Sequence, residues 1–163
     1  MPIDFDFVNE IITDLAGSGG YEILTGQRGG TTTQESVIDH TINGHIENAV
    51  GTDPGKKWQR WGRMAARDLH DESFRVSFAV FNKRIFQHIY ETGKYTQASI
   101  VRGKSGNSSI EIPFDNKDFC SVVDRASALF DLHGPYERKL DKICVNINDI
   151  DGKIISIGPK FKG

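Results

Sequence analysis

A chain of 163 residues, 37% of them hydrophobic and 26% charged, can bury one substantial core, and it shows no internal repeat or low-complexity block. Fibrous, repeat-built and wholly disordered classes are excluded, and no apolar run approaches the roughly 20 residues needed to span a bilayer. The formal net charge of −2 gives no bulk attraction to nucleic acid, yet it hides an asymmetry: residues 1–50 hold eight carboxylates against Arg28 alone, while the other 113 hold 19 basic and 14 acidic side chains.

The amino-terminal MPIDFDFVNEIITDL is acidic where a secretory signal carries Lys or Arg, so no targeting segment is expected there. The same stretch predicts an amphipathic helix over Asp4 to Leu15, with Phe7, Ile11, Ile12 and Leu15 at helical spacing and Gly17 to Gly20 ending the pattern. After the turn-rich GQRGGTTTQ, a second helix is expected over Gln34 to Val50, its apolar side including Val37, Ile38, Thr41, Ile42 and Ile46. Gly44 inside it costs about 1 kcal/mol relative to alanine and invites a bend. GTDPG reads as a break before a basic helix over Lys57 to Leu69. A long core helix follows, capped by Asp71 or Ser73, with Phe74, Phe78, Phe81, Ile85, Phe86, Ile89 and Tyr90 as its stripe and Gly93 as its stop.

Beyond residue 94 the period moves toward two. Tyr95 to Arg102 and Ser108 to Pro113 read as strands around a GKSGN hairpin turn. The GKS within that turn lacks the first glycine of a phosphate loop, because position 98 is Ala98. Asp118 to Leu132 is expected to be helical, closed by His133 and Gly134. Ile143, Val145 and Ile147 alternate into an Asp151-Gly152 turn, and Lys153 to Ile157 returns as the second strand of a carboxy-terminal hairpin. The expected architecture is a single α+β domain over 1–163, with 1–93 mainly helical, 94–163 mainly sheet with one helix, and the helices packed on a small antiparallel sheet. Cys120 and Cys144 lack CxxC spacing and read as buried thiols rather than a staple.

The residues able to carry chemistry cluster in the middle of the chain. His40 and His45 lie on one predicted helix, but five residues rotate an ideal helix by about 500°, so both reach one site only if the helix bends near Gly44. No HExxH pattern is present, and no metal site is expected. Lys57, Arg60 and Arg63 stand with Trp58 and Trp61 in KKWQRWGRMAAR, a segment without acids. The cations suit phosphate and the tryptophans suit stacking on unpaired bases; equally, Trp58, Trp61 and Ala65 share a helix face that a core would bury. His70, His88 and His133 receive no role.

The string His40-Thr41-Ile42-Asn43-Gly44-His45-Ile46 resembles a helix near the start of ribonuclease toxin domains of contact-dependent growth inhibition and other polymorphic toxins. The ending Ile143 to Pro159, ICVNINDIDGKIISIGP, is similar to the last hairpin of such domains and of the wider barnase, EndoU, colicin and RelE-like superfamily, which includes RNase A-like toxins. Ser156 falls at its hydroxyl position and Tyr136 lies just upstream. The resemblance implies metal-independent RNA cleavage without a cofactor. His45 would act as base and His40 as a second acid/base or a structural neighbour, Ser156 and Tyr136 as donors, and the basic segment as the phosphate-binding element. It further implies an RNA substrate, a cognate immunity protein, no membrane, a monomer, and delivery into a target-cell cytoplasm as part of a larger protein. The alternative expectation is a non-catalytic interaction protein, of the immunity or phage and plasmid accessory kind, whose acidic amino-terminal half binds a basic partner.

Overall fold

The computed structural model describes residues 3–30, 35–41, 72–103, 105–126 and 140–162. Helix α1 spans Phe5–Ala16, and the Asp4 carboxylate caps it by accepting the Phe7 backbone N–H at 2.9 Å. Its buried stripe is Val8, Ile12 and Leu15, with Phe7 and Ile11 at the border. A short helix α2, Gly20–Thr25, follows where only turns were expected. A Cβ on Gly20 would collide with the Leu15 carbonyl, so this close turn from α1 into α2 requires glycine. Helix α3, Val37–Thr41, begins the predicted second helix; Ser36 Oγ accepts the Asp39 N–H at 3.0 Å as its cap. The rest of that prediction, 42–50, and the basic helix over 57–69 lie outside the described residues.

Helix α4, Glu72–Thr92, is the core helix. Phe78, Phe81, Ile85, Phe86 and Ile89 are fully buried along it, and Gly93 ends it at φ +72°, a left-handed conformation that glycine adopts without strain. Ser73 lies within the helix rather than capping it. Tyr90 departs from the expected stripe: it is exposed and stacks on Tyr95, ring centroids 5.8 Å apart. The strand expected from Tyr95 starts later, because Lys94–Gln97 coils into a 3₁₀ turn against the end of α4.

Four strands form one antiparallel sheet in the order β1, β2, β3, β4: Ser99–Arg102, Asn107–Pro113, Leu140–Asn148 and Ile154–Phe161. Helix α5, Asn116–Ala126, connects β2 to β3 and starts two residues before the predicted Asp118; 127–139 are outside the described residues. The protein is thus α+β, helices first and then the sheet. Ile110, Ile112, Ile143, Val145, Ile147, Ile154 and Ile157 join one apolar cluster with α1, α4 and α5. The alternation that buries these isoleucines sends Ser109, Glu111, Lys142, Cys144, Asn146 and Ser156 to the opposite face. Cys144 is half-buried there. The GKSGN turn closes as a hairpin, with Gly103 N–H on the Asn107 carbonyl at 2.7 Å and Gly106 at φ +80°. The last hairpin turns over residues 149–152, and its strand resumes at Ile154 rather than Lys153.

Among the described residues strand β4 is an edge of the sheet, and an uncovered edge invites pairing with another chain. Here the amino-terminal region covers it. Gly29 N–H reaches the Ile154 carbonyl at 2.9 Å, and Ile157 N–H reaches Thr41 Oγ1 at 3.3 Å.

Candidate functional site

Two of the residues singled out by sequence are in the described part of the chain, His40 and Ser156. His40 is on α3, about a third exposed, with Nδ1 3.0 Å from Glu35 Oε1. The same carboxylate oxygen accepts Arg28 Nε at 2.7 Å. An ionised carboxylate can only accept, so Nδ1 carries the proton, and the neutral ring keeps its lone pair on Nε2. That arrangement fixes tautomer and ring orientation together, which acid/base chemistry needs. The Arg28 N–H bonds to the Glu35 carbonyl at 3.0 Å and the Val37 N–H to the Gly26 carbonyl at 3.1 Å, which holds Arg28 and Glu35 side by side. Asp39 then ties α3 to α4 through Arg75, at 2.7 Å.

Ser156 is only 4% exposed and accepts the Asn146 amide at 2.9 Å. The structure brings its segment to that of His40: the Thr41 hydroxyl and the Ile157 N–H are hydrogen-bonded, and each follows one of the two residues. The side chains themselves have different partners, Glu35 for His40 and Asn146 for Ser156. His45, Tyr136, Lys57, Arg60, Arg63, Trp58 and Trp61 lie outside the described residues.

Three features escaped the sequence. Glu35 and Arg28 sit in a stretch read only as turn-rich, although the spacing of Glu35 to His40 across a Ser36 cap was a usable local signal. His88 Nε2 meets Asp118 Oδ1 at 2.8 Å and Lys94 Nζ meets Asp118 Oδ2 at 2.6 Å, a buried cluster joining α4, the 3₁₀ turn and α5. Asp115 and Asp118 also exchange side-chain to backbone hydrogen bonds at 3.0 and 2.9 Å, a capping pair legible as D-x-x-D. His88 is 6% exposed, and its ring edge rests on Phe114. His88 and Asp118 are almost fully buried, and Lys94 reaches them from the partly exposed 3₁₀ turn.

The third is a recess of about 380 Å³ bounded by α1, α2 and the turn into β4. Phe7, Ile11, Ile23, Val37 and Ile154 line its apolar part, and Glu10, Asp14, Glu22 and Lys153 stand exposed at its rim. Among the described residues, no group of three or more His, Cys, Asp or Glu side chains is placed to hold a metal ion, and no helix is long and apolar enough to cross a membrane. Compared with protein-family models, curated proteins and solved structures, the chain matches none.

Proposed function

We propose that the chain is a metal-independent ribonuclease domain of the toxin type, with His40 as a working acid/base group. The observation that carries the reading is the Glu35 carboxylate on His40 Nδ1, which leaves Nε2 to exchange protons. In this reaction a histidine takes the proton of a ribose 2′-hydroxyl, the 2′-oxygen bonds to phosphorus, and the bond to the 5′-oxygen breaks as a protonated histidine supplies that oxygen's proton. The products are a 2′,3′-cyclic phosphate and a 5′-hydroxyl. His45 is the second histidine, Lys57, Arg60 and Arg63 bind phosphate, Trp58 and Trp61 stack on bases, and Ser156 and Tyr136 complete the donor set. On this reading the domain acts as a monomer, reaches a target-cell cytoplasm as part of a larger delivered protein, and is restrained by a cognate immunity protein.

The test is total RNA incubated with purified protein in EDTA. Wild type is expected to cleave it to cyclic-phosphate ends, His40→Ala and His45→Ala each to lose about a hundredfold or more in rate, and Glu35→Ala to lose rate while binding RNA as before. Full activity in both histidine variants, or none in wild type, overturns the proposal.

A second reading is favoured by the acid-rimmed recess: a non-catalytic interaction protein that takes a basic partner on its acidic amino-terminal half. Phosphate contacts dominate RNA affinity, and the carboxylates at this recess oppose them.

A further inference from the structure

We propose that the recess between α1 and α2 is the docking groove for a cationic amphipathic helix of a partner protein. This inference rests on the interaction reading and names its surface and ligand. Phe7 and Ile11 are one helical turn apart on α1, and Ile23 lines the recess from α2; all three are packed against the core yet only partly buried. They form an apolar strip continuous with the core. Glu10 and Asp14, again one turn apart, and Glu22 stand exposed along it, three carboxylates against the Lys153 ammonium, so the rim is net negative.

These carboxylates are available to a partner. Among the described residues none of the three is in an ion pair, whereas Glu35, Asp39, Asp118 and Glu111 are. Asp14 lies in the last turn of α1, which carries no basic residue, so it faces the negative end of the helix dipole and gains from an incoming cation. Apolar anchors at i and i+4 beside carboxylates of the same spacing match a helix with Leu-like residues on one face and Lys or Arg along its flanks. Charge argues against the other occupants. Nucleic acid and anionic lipid are repelled, and two copies meeting through this patch about a two-fold axis would set carboxylate against carboxylate.

The probe is a fluorescein-labelled Lys/Leu peptide of about 18 residues, leucines at helical spacing, compared with a Glu/Leu peptide of the same pattern and a scrambled Lys/Leu peptide. Wild-type protein is expected to bind the first and neither of the others. Combined Glu10→Lys, Asp14→Lys and Glu22→Lys substitutions are expected to weaken binding about tenfold or more, while Gln97→Lys with Ser99→Lys, exposed beside the β1 edge of the sheet, leaves it unchanged. Matching circular dichroism melts establish that the variants fold. If wild type binds and only the Gln97 and Ser99 control loses affinity, the groove is wrong although a basic partner is still bound. Absence of binding to wild type overturns both the groove and the interaction reading. Equal binding of the scrambled peptide overturns the amphipathic ligand, and a dimer dispersed by Ile11→Glu in sedimentation replaces the partner with a second copy.

Discussion

Asp118 shows how one buried carboxylate can join three elements. Burial pushes its pKa up, but the Lys94 ammonium, the Asp115 backbone N–H, His88 and the Asp115 side chain more than offset this, lowering it from 3.8 to about 2. Because the folded value lies below the unfolded one, the stabilisation is complete above the unfolded pKa of about 3.8 and is lost as pH falls through about 2. Asp118→Ala leaves Lys94 and His88 without their carboxylate and unties the first turn of α5. It should cost about 3 kcal/mol in urea unfolding at neutral pH. Asp118→Asn, which cannot ionise, should unfold at lower urea than wild type near neutrality, with the two midpoints drawing together as pH approaches 2. A constant gap across that range would contradict the assignment.

At the scale of elements, the described turn of α3, Val37–Thr41, ties the helical half to the sheet. Its Thr41 hydroxyl donates to the Val37 carbonyl at 2.9 Å and accepts the Ile157 N–H, so one side chain bonds within its own turn and satisfies a buried donor on β4. Thr41→Val keeps the shape and removes both hydrogen bonds. It should cost about 1–3 kcal/mol, and hydrogen exchange at the Ile157 amide should accelerate while that at Ile112 on β2 tracks only global stability. Unchanged protection at Ile157 would place the edge-covering contact elsewhere.

For the molecule as a whole, the aromatic layer of α4 is where helices and sheet become one core. Phe81 is fully buried and meets Phe119 of α5 edge-on, with centroids 6.0 Å apart, so it binds the helical half to the connection inside the sheet half. Phe81→Ala should cost about 3–5 kcal/mol, a large share of the roughly 5–15 kcal/mol that holds a domain together. The measurement is a thermal melt followed by both far- and near-ultraviolet circular dichroism. Loss of the near-ultraviolet aromatic signal at a lower temperature than the far-ultraviolet backbone signal would mean that the aromatic layer does not melt with the rest as one cooperative core.

Much of the architecture was legible because it is written at short range. The apolar period of 3.6 marked α1 and α4, alternation marked β2 and β3, and Gly93 and Gly152 marked stops that need positive φ. Helix α2 was hidden because six residues are too few for a period, and its start depends on how closely Gly20 approaches Leu15. The strand predicted from Tyr95 begins only at Ser99, because Lys94–Gln97 coils into a 3₁₀ turn in which Tyr95 stacks on Tyr90. At the candidate site, sequence singled out His40 and the hydroxyl of Ser156, but not the Glu35 carboxylate that orients the ring or the Asn146 amide that occupies the hydroxyl. The sequence by itself determined that α1 and α4 coil, that β2 and β3 extend and where the negative charge concentrates, since these follow from neighbours a few residues apart. Only the tertiary structure decided which polar groups meet: His88 and Asp118 are 30 residues apart, and Thr41 and Ile157 are 116 apart. Those distances are set by helices closing on a sheet around a common core, a constraint that no local pattern contains.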